Sequence, residues 1–263
     1  MRVTEIMDSK HPVTHGADPA TKGRALIRNY GLRILPVVDE NDKLQGIISR
    51  RSLLTISSSV SPIQVKGIMA EPRYVTSVED DAYSAVKQMI RLDEWCVPVV
   101  NSAQDKTYRG VLGLDNFIEA IIKTSPEKLA KPVTAIMSMN VVCCSPDDEV
   151  EQVWRLMQER SFSGVPVVKK DKLVGIVTHK DLLESGKVLP GFESKKGRFR
   201  ASPKVNMVMN ENVVAVEPSV KAIRVAKVMI SRDIGHVPVT DEKGRLLGIV
   251  DREDVARLIV KRE

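Results

Sequence analysis

Four in-register copies of one pattern run along this chain, and such a repeat constrains the fold more tightly than any single motif. Ile6-Met7, Ile68-Met69, Ile136-Met137 and Val208-Met209 each open a copy. In every copy a proline follows the methionine by 29 residues, at Pro36, Pro98, Pro166 and Pro238. Each proline sits in an apolar run, such as Leu35-Pro36-Val37-Val38 or Val165-Pro166-Val167-Val168. A glycine then opens a second apolar run at Gly46, Gly110, Gly175 and Gly248, after 10, 12, 9 and 10 further residues.

Each copy reads as the same series of elements. A short β-rich stretch such as Val213-Val214-Ala215-Val216 precedes a helical one, in which Val150, Val153, Trp154 and Met157 have the three-and-four spacing of one helix face. Two strands follow, in the third copy Val165 to Val168 and Leu173 to Val177, with the polar turn Lys169 to Lys172 between them. The strand proline predicts an edge position or a strand start, because it has no N–H to give a ladder. A last helix, Asp181 to Ser185 in the third copy, closes the series. The fold class is therefore α/β (α+β), four β-α-β-β-α units. One such unit buries too little surface to stand alone, so neighbours are expected to pack in pairs through their sheets. The units run about 1–60, 61–125, 126–185 and 204–263, giving pairs 1–125 and 126–263. The compositional break at 186–203, with Gly186, Gly191 and the basic run Lys195-Lys196-Gly197-Arg198-Phe199-Arg200, reads as a solvated connection.

Composition narrows the function classes. No run approaches the roughly 18 apolar residues of a membrane span, and the start, Met1-Arg2-Val3-Thr4-Glu5, carries no apolar signal region. Cys96, Cys143 and Cys144 are an odd number without CxxC spacing, so neither a disulfide framework nor a zinc site is indicated. A soluble, cytoplasmic protein is expected. The net charge of +6 would suit an anionic partner, but both signs are mixed along most of the chain. There is no Gly-rich phosphate loop, no G-x-S-x-G elbow and no helical histidine pair, so no catalytic residues, metal site or catalytic cofactor are assigned. His11 and His15 are four apart, but Pro12 and Gly16 argue against a helix there.

These repeats, an Ile-Met opening, an apolar-Pro-Val-Val strand and Gly-Ile-Val-Thr-x-x-Asp-Leu, resemble CBS domains, named after cystathionine β-synthase. The resemblance covers nearly the whole chain apart from the basic connection. It implies two tandem pairs, or Bateman modules, whose clefts in that family commonly bind AMP, ADP, ATP or S-adenosylmethionine. The layout also resembles that of stand-alone archaeal CBS proteins and of the nucleotide-sensing γ subunit of AMP-activated protein kinase.

The resemblance places the ligand signature at the turn from the last strand into the last helix, where a carboxylate suits ribose hydroxyls and a hydroxyl with helix N-terminal amides suits phosphate. The third unit matches fully, as Gly175-Ile176-Val177-Thr178-His179-Lys180-Asp181. It implies Asp181 for ribose, Thr178, His179 and Lys180 for phosphate, and Val142, Cys143, Ser163, Gly164 and Val165 as walls around adenine. Thr178-x-x-Asp181 is equally a helix capping box. The fourth unit keeps Asp254 but has Asp251 in place of the hydroxyl, a charge that Arg252 could offset beside a phosphate, and His236 falls where basic phosphate contacts are expected. In the first unit Ser49 is retained while Ser52 replaces the acid, and Arg33, Arg50 and Arg51 gather positive charge. The second unit, with Gly113 and Asn116 at the key places, is expected to be empty or structural.

The expected function is a non-enzymatic, regulatory sensor of an adenosine ligand that acts on a partner protein through a change in CBS packing. The four units could complete a disc in one chain or form a homodimer. The alternative is a structural or nucleic-acid-associated scaffold using the basic run, although aromatic stacking platforms are scarce at 4% of residues.

Overall fold

The computed structural model describes residues 1–54, 62–185 and 202–261; the basic run Lys195 to Arg200 lies outside them. The first unit comprises β1 (Thr14–His15), α1 (Ala20–Asn29), β2 (Ile34–Val38), β3 (Leu44–Ser49) and α2 (Arg50–Leu53). The second comprises β4 (Thr76–Ser77), α3 (Ala82–Arg91), β5 (Cys96–Val100), β6 (Tyr108–Gly113) and α4 (Leu114–Thr124). The third contains α5 (Val150–Arg160), β7 (Gly164–Lys169), β8 (Lys172–Thr178) and α6 (His179–Ser185), and the fourth α7 (Ala222–Ser231), β9 (His236–Thr240), β10 (Leu246–Asp251) and α8 (Arg252–Val260). In the last two units the expected first strand shrinks to one parallel bridge, Cys144 with Val167 and Val216 with Val239. The stretch Val213 to Val216 is thus not a strand of any length, because its earlier residues run along the cavity described below.

The prolines are mid-strand rather than at strand starts; their strands are central in the three-stranded sheets of the first two units and at an edge, as expected, in the two-stranded sheets of the last two. Pro36 faces Ile47 within β2, the central strand of the sheet β1-β2-β3, and Pro166 faces Ile176 within β7. The third unit explains how the ladder tolerates this. Cys144 N–H donates to Pro166 O at 3.0 Å and Val168 N–H to Cys144 O at 2.8 Å. The nitrogen of Pro166 points to the same side as its carbonyl, beyond the end of that one-residue partner, so no ladder bond is forfeited.

The opening segments are exchanged within each pair. Ala82 N–H donates to Met1 O and Asp8 N–H to Val111 O, both at 2.9 Å, so the chain start docks on the second unit. In return, Ala20 N–H meets Ile63 O and Ile47 N–H meets Ala70 O, also at 2.9 Å, which seats the second opening segment on the first unit. The later pair repeats this, with Ser138 N–H on Ile249 O at 2.9 Å and Ile176 N–H on Asn210 O at 3.0 Å. The repeat glycine marks the crossing point. A Cβ on Gly175 would come within 2.9 Å of Met209 Sδ, and one on Gly248 within 2.7 Å of Met137 Sδ. The Ile-Met and Gly motifs of the sequence therefore meet across units, where any side chain on the glycine would collide with the methionine.

Two hydrophobic cores join units of different pairs. One unites α3 and α4 with α7 and α8 around Phe117, Ile118, Ile121, Val225, Met229 and Val255. The other joins the first and third units through Ile27, Leu35, Leu53, Val153, Val165 and Leu182. Sheets thus face the neighbour within a pair, while helices face the other pair.

Candidate functional site

The site is built from the ends of equivalent elements. The first helix of each unit stops in a residue with left-handed backbone: Gly31 (φ 63°), Asp93 (57°), Ser161 (56°) and Asp233 (47°). All four stand 24 residues after the opening methionine. Small and Asx-type residues tolerate that conformation, which is why they recur here. The chain turns at this point toward its central strand, and Asp93, Ser161 and Asp233 with the residues just after them line one cavity of about 480 Å³. Every unit contributes: Arg33 and Ser49 to Arg51 from the first, Asp93 to Cys96 from the second. The third supplies Ser161, Ser163 and Thr178 to Asp181, and the fourth Asn212 to Val214 and Arg232 to His236.

In every copy the seventh residue of the signature turn accepts from the backbone N–H three residues before it, and all but the second, where Gly113 has no side chain, complete a capping box. In the third unit Asp181 Oδ2 accepts from Thr178 N–H at 2.8 Å and from Thr178 Oγ1 at 2.6 Å. In the fourth, Asp254 Oδ2 accepts from Asp251 N–H at 3.0 Å and Asp251 Oδ1 from Asp254 N–H at 2.9 Å. Ser49 N–H donates to Ser52 Oγ at 2.9 Å in the first unit, and Gly113 N–H to Asn116 Oδ1 at 2.7 Å in the second. Capping therefore survives where the signature does not, and capping alone does not distinguish the third copy. What distinguishes it is placement, since Thr178, His179, Lys180 and Asp181 all face the cavity. Asp181 Oδ1 has no hydrogen-bond partner among the described residues, and burial raises the carboxyl above the usual range despite the bonds from Thr178.

Of the residues singled out by sequence, Arg33, Ser49, Arg50, Ser163, Thr178, His179, Lys180, Asp181 and His236 come together around the cavity. Val142 and Cys143 do not. They continue a segment that docks on the fourth unit through Ser138 and Ile249, and both are exposed or half-exposed. Asn212, Val213 and Val214, which continue the segment docked on the third unit, line the cavity. Gly164 and Val165 lie behind the surface: a Cβ on Gly164 would meet the His236 ring at 2.9 Å, and Val165 is core. Asp251 and Asp254 also lie outside the cavity lining.

Arg252 is not available to offset Asp251. It is 1% exposed, and its guanidinium bonds Asp115 Oδ2 at 3.0 Å and Asp233 Oδ1 at 2.8 Å. Its Nε also donates to Ile234 O at 3.3 Å, at the end of the first helix of its unit. Arg50 holds the same repeat position and does the same, donating from Nε to Leu32 O at 2.7 Å and from Nη2 to Gly31 O. Burial and the nearby Arg33 pull Arg50 down to about 10, so it stays cationic at neutral pH. Asp251, left without a cation, is pushed up to about 7 by burial and by Asp254.

Both cavity histidines are held toward the neutral form, in which a ring N–H can donate to an anion but carries no charge of its own. Burial, then Arg50 and Arg51, push His179 down to about 4; burial, then Arg33 and Arg252, push His236 to about 3. His179 meets the edge of Trp154 at 5.5 Å, and its buried Nε2 has no hydrogen-bond partner among the described residues. His236 Nε2 lies 3.1 Å from Ser163 Oγ. Sequence reading missed Trp95, Asp93, Ser161 and Asp233. Their common signal was available, as positions 24 and 26 after the methionine align Gly31, Asp93, Ser161 and Asp233, then Arg33, Trp95, Ser163 and Gly235.

Comparison with known proteins settles the family. The CBS domain profile matches residues 3–59, 133–187 and 205–261. The chain belongs to the CBS domain family. The matched CBS stretches are the first, third and fourth units; the second, whose signature departs furthest, falls between them. The chain is 24% identical over 279 residues to the uncharacterized protein MJ1225 of Methanocaldococcus jannaschii, covering 98% of each. The crystal structure of MJ1225, a proposed archaeal homologue of g-AMPK, superposes with a TM-score of 0.84 at 22% identity, over 98% of this chain and 99% of that one. A conserved protein from Pyrococcus horikoshii superposes with a TM-score of 0.67 at 22% identity, over 98% and 100% of the two chains. Both likenesses show that the fold of the whole chain is shared. Inosine-5'-monophosphate dehydrogenase of Korarchaeum cryptofilum is 33% identical over 130 residues, 49% of this chain but 24% of that enzyme. Among the described residues no helix is long and apolar enough to cross a membrane, and no three or more His, Cys, Asp or Glu are grouped to hold a metal ion.

Proposed function

We propose that this CBS protein is a regulatory sensor that holds an adenosine-type ligand, AMP, ADP, ATP or an S-adenosylmethionine-type compound, in the central cavity. The observation that carries this reading is that the one complete ligand signature, Thr178 to Asp181, faces a cavity to which all four units contribute. A volume of about 480 Å³ is within the range of small-ligand sites, roughly 300–1,000 Å³. Asp181 Oδ1 is the ribose acceptor, Asn212 to Val214 form the adenine wall, and Lys180, Arg33 and Arg51 are the cations for an anionic group. The chemistry asked of these residues is recognition, with no catalytic step.

A ligand seated there touches both CBS pairs at once, so its differential affinity for one packing of the pairs shifts their equilibrium. That shift is the signal to a partner protein. A cytoplasmic setting accords with three free cysteines, and homodimerisation through the outer faces is compatible with this use of the centre.

Calorimetric titration of nucleotide-stripped protein with AMP, ADP, ATP and S-adenosylmethionine tests the reading. At least one gives saturable binding, and Asp181→Asn, which retains an acceptor for the cap, weakens it by about tenfold or more through loss of a charged hydrogen-bond acceptor. No heat from any of the four with folded protein rejects the adenosine reading.

A further inference from the structure

A chain of four side chains, one from each unit, runs along the cavity wall. The Arg33 guanidinium lies 5.4 Å from the centre of the Trp95 ring. Trp95 in turn lies 5.3 Å from the His236 ring, and His236 Nε2 is 3.1 Å from Ser163 Oγ. Two glycines make the room: a Cβ on Gly235 would come within 2.8 Å of Trp95 Cζ3, and one on Gly164 within 2.9 Å of His236. Arg33, Trp95, Ser163 and Gly235 occupy one repeat position, 26 residues after the methionine. A single position of the repeat has thus become a cation, an indole, a hydroxyl and a void.

We propose that Trp95 is a positioning residue of the ligand site: the second unit, whose own signature lacks both hydroxyl and carboxylate, supplies an indole that holds the Arg33 guanidinium at the cavity and so sets a preference for phosphate-bearing over uncharged adenosine ligands. The inference rests on the ligand reading above. Arg33 has a side chain 21% exposed, and its one ion pair among the described residues, with Asp233 Oδ1, is long at 3.9 Å. Asp233 is held more closely by Arg252, at 2.8 Å. The charge on Arg33 is therefore poorly neutralised by protein, and the aromatic ring is what fixes its place. A guanidinium over an indole is attracted by the ring quadrupole without losing its capacity to donate to an anion. Restricting a long side chain before the ligand arrives also reduces the entropy lost on binding.

The test is calorimetry on the full chain with AMP and with adenosine, for wild type, Trp95→Ala and Trp95→Phe. In Trp95→Ala, AMP affinity falls about threefold to tenfold, the size expected of one cation–π contact, while adenosine affinity stays within about twofold. Trp95→Phe, which keeps a ring under the guanidinium, recovers most of the loss. A parallel fall for both ligands, or an unchanged AMP-to-adenosine ratio in Trp95→Ala, overturns the positioning role and leaves the ligand reading intact. Wild-type protein that binds neither compound overturns the positioning role, and the ligand reading falls with it only when ADP, ATP and S-adenosylmethionine also give no heat.

Discussion

The two helix seams between the CBS pairs are made from the same repeat and are put to different use. Between the second and fourth units, α4 and α8 are long enough to bury continuous apolar faces, with Phe117, Ile118, Ile121 and Val255 fully enclosed. The buried Arg252 crosses this seam to Asp115. Between the first and third units the facing helices are shorter, α2 spanning Arg50–Leu53 and α6 His179–Ser185. Polar groups reach that seam incompletely satisfied. Arg51 Nε donates to Gln158 Oε1 at 2.6 Å, but Gln158 Nε2 and His179 Nε2 are buried without partners among the described residues. The cavity takes its signature residues, Ser49 to Arg51 and Thr178 to Asp181, from this second seam. Both seams bury a core, and the second also carries polar groups that border the cavity.

Three substitutions break or sharpen that contrast. The largest effect belongs to Phe117→Ala, which empties the centre of the apolar seam and costs about 3–5 kcal/mol in chemical denaturation. A loss under about 1 kcal/mol would mean that this seam is not the stability core. Intermediate in size is the effect of Asp251→Asn, which removes the one strongly perturbed carboxyl of the fourth signature. Asp251 rises from 3.8 to about 7 on folding, so folded chains hold more protons than unfolded ones between those values. Its contribution is favourable at pH 4 and is lost as pH climbs through about 7. Asp254, Glu253 and Asp93 surround it with like charge and add to the effect. Asp251→Asn therefore stabilises the protein at pH 8, by on the order of 1 kcal/mol, and little at pH 4. Equal effects at both pH values would assign the change to packing. The smallest shift is expected from His179→Phe, which replaces an orphaned nitrogen beside Trp154 and raises the melting temperature by a few degrees, equivalent to about 1 kcal/mol or less. A lower melting temperature would show that the histidine nitrogen is satisfied in solution.

Much of the fold was legible because its signals are local. The α5 face Val150, Val153 and Met157 is buried as its spacing requires, and the apolar runs around Pro98 and Pro166 are strands. The edge expectation for the proline holds in the two-stranded sheets of the third and fourth units and fails in the first two, where edge logic assumes a full-length neighbour and the actual one is two residues long. The candidate site was half legible. Thr178 and Asp181 stand out in one copy, and Arg33 and Ser49 join them around the cavity. Val142 and Cys143 do not line that cavity, because their segment docks on the fourth unit and the sequence does not state that opening segments are exchanged. Arg252 read as a counter-charge for its neighbour Asp251, since nothing near it in sequence announces Asp115, a residue of another unit.

The sequence by itself determined the number of units, the order of elements within each, and which copy retains a complete ligand signature. Those properties follow from periodicity, capping and turn chemistry within a few residues of one another. Only the tertiary structure decided which Ile-Met segment crosses which glycine, which helices share a core, and that one aligned position from each unit surrounds a single cavity. The reason lies in the repeat. Four near-equivalent copies present the same apolar faces and crossing points, so local pattern cannot select among partners. The selection falls to chain connectivity and to contacts between residues far apart in sequence, such as the ion pair of Arg252 with Asp115 and the stacking of Arg33 on Trp95.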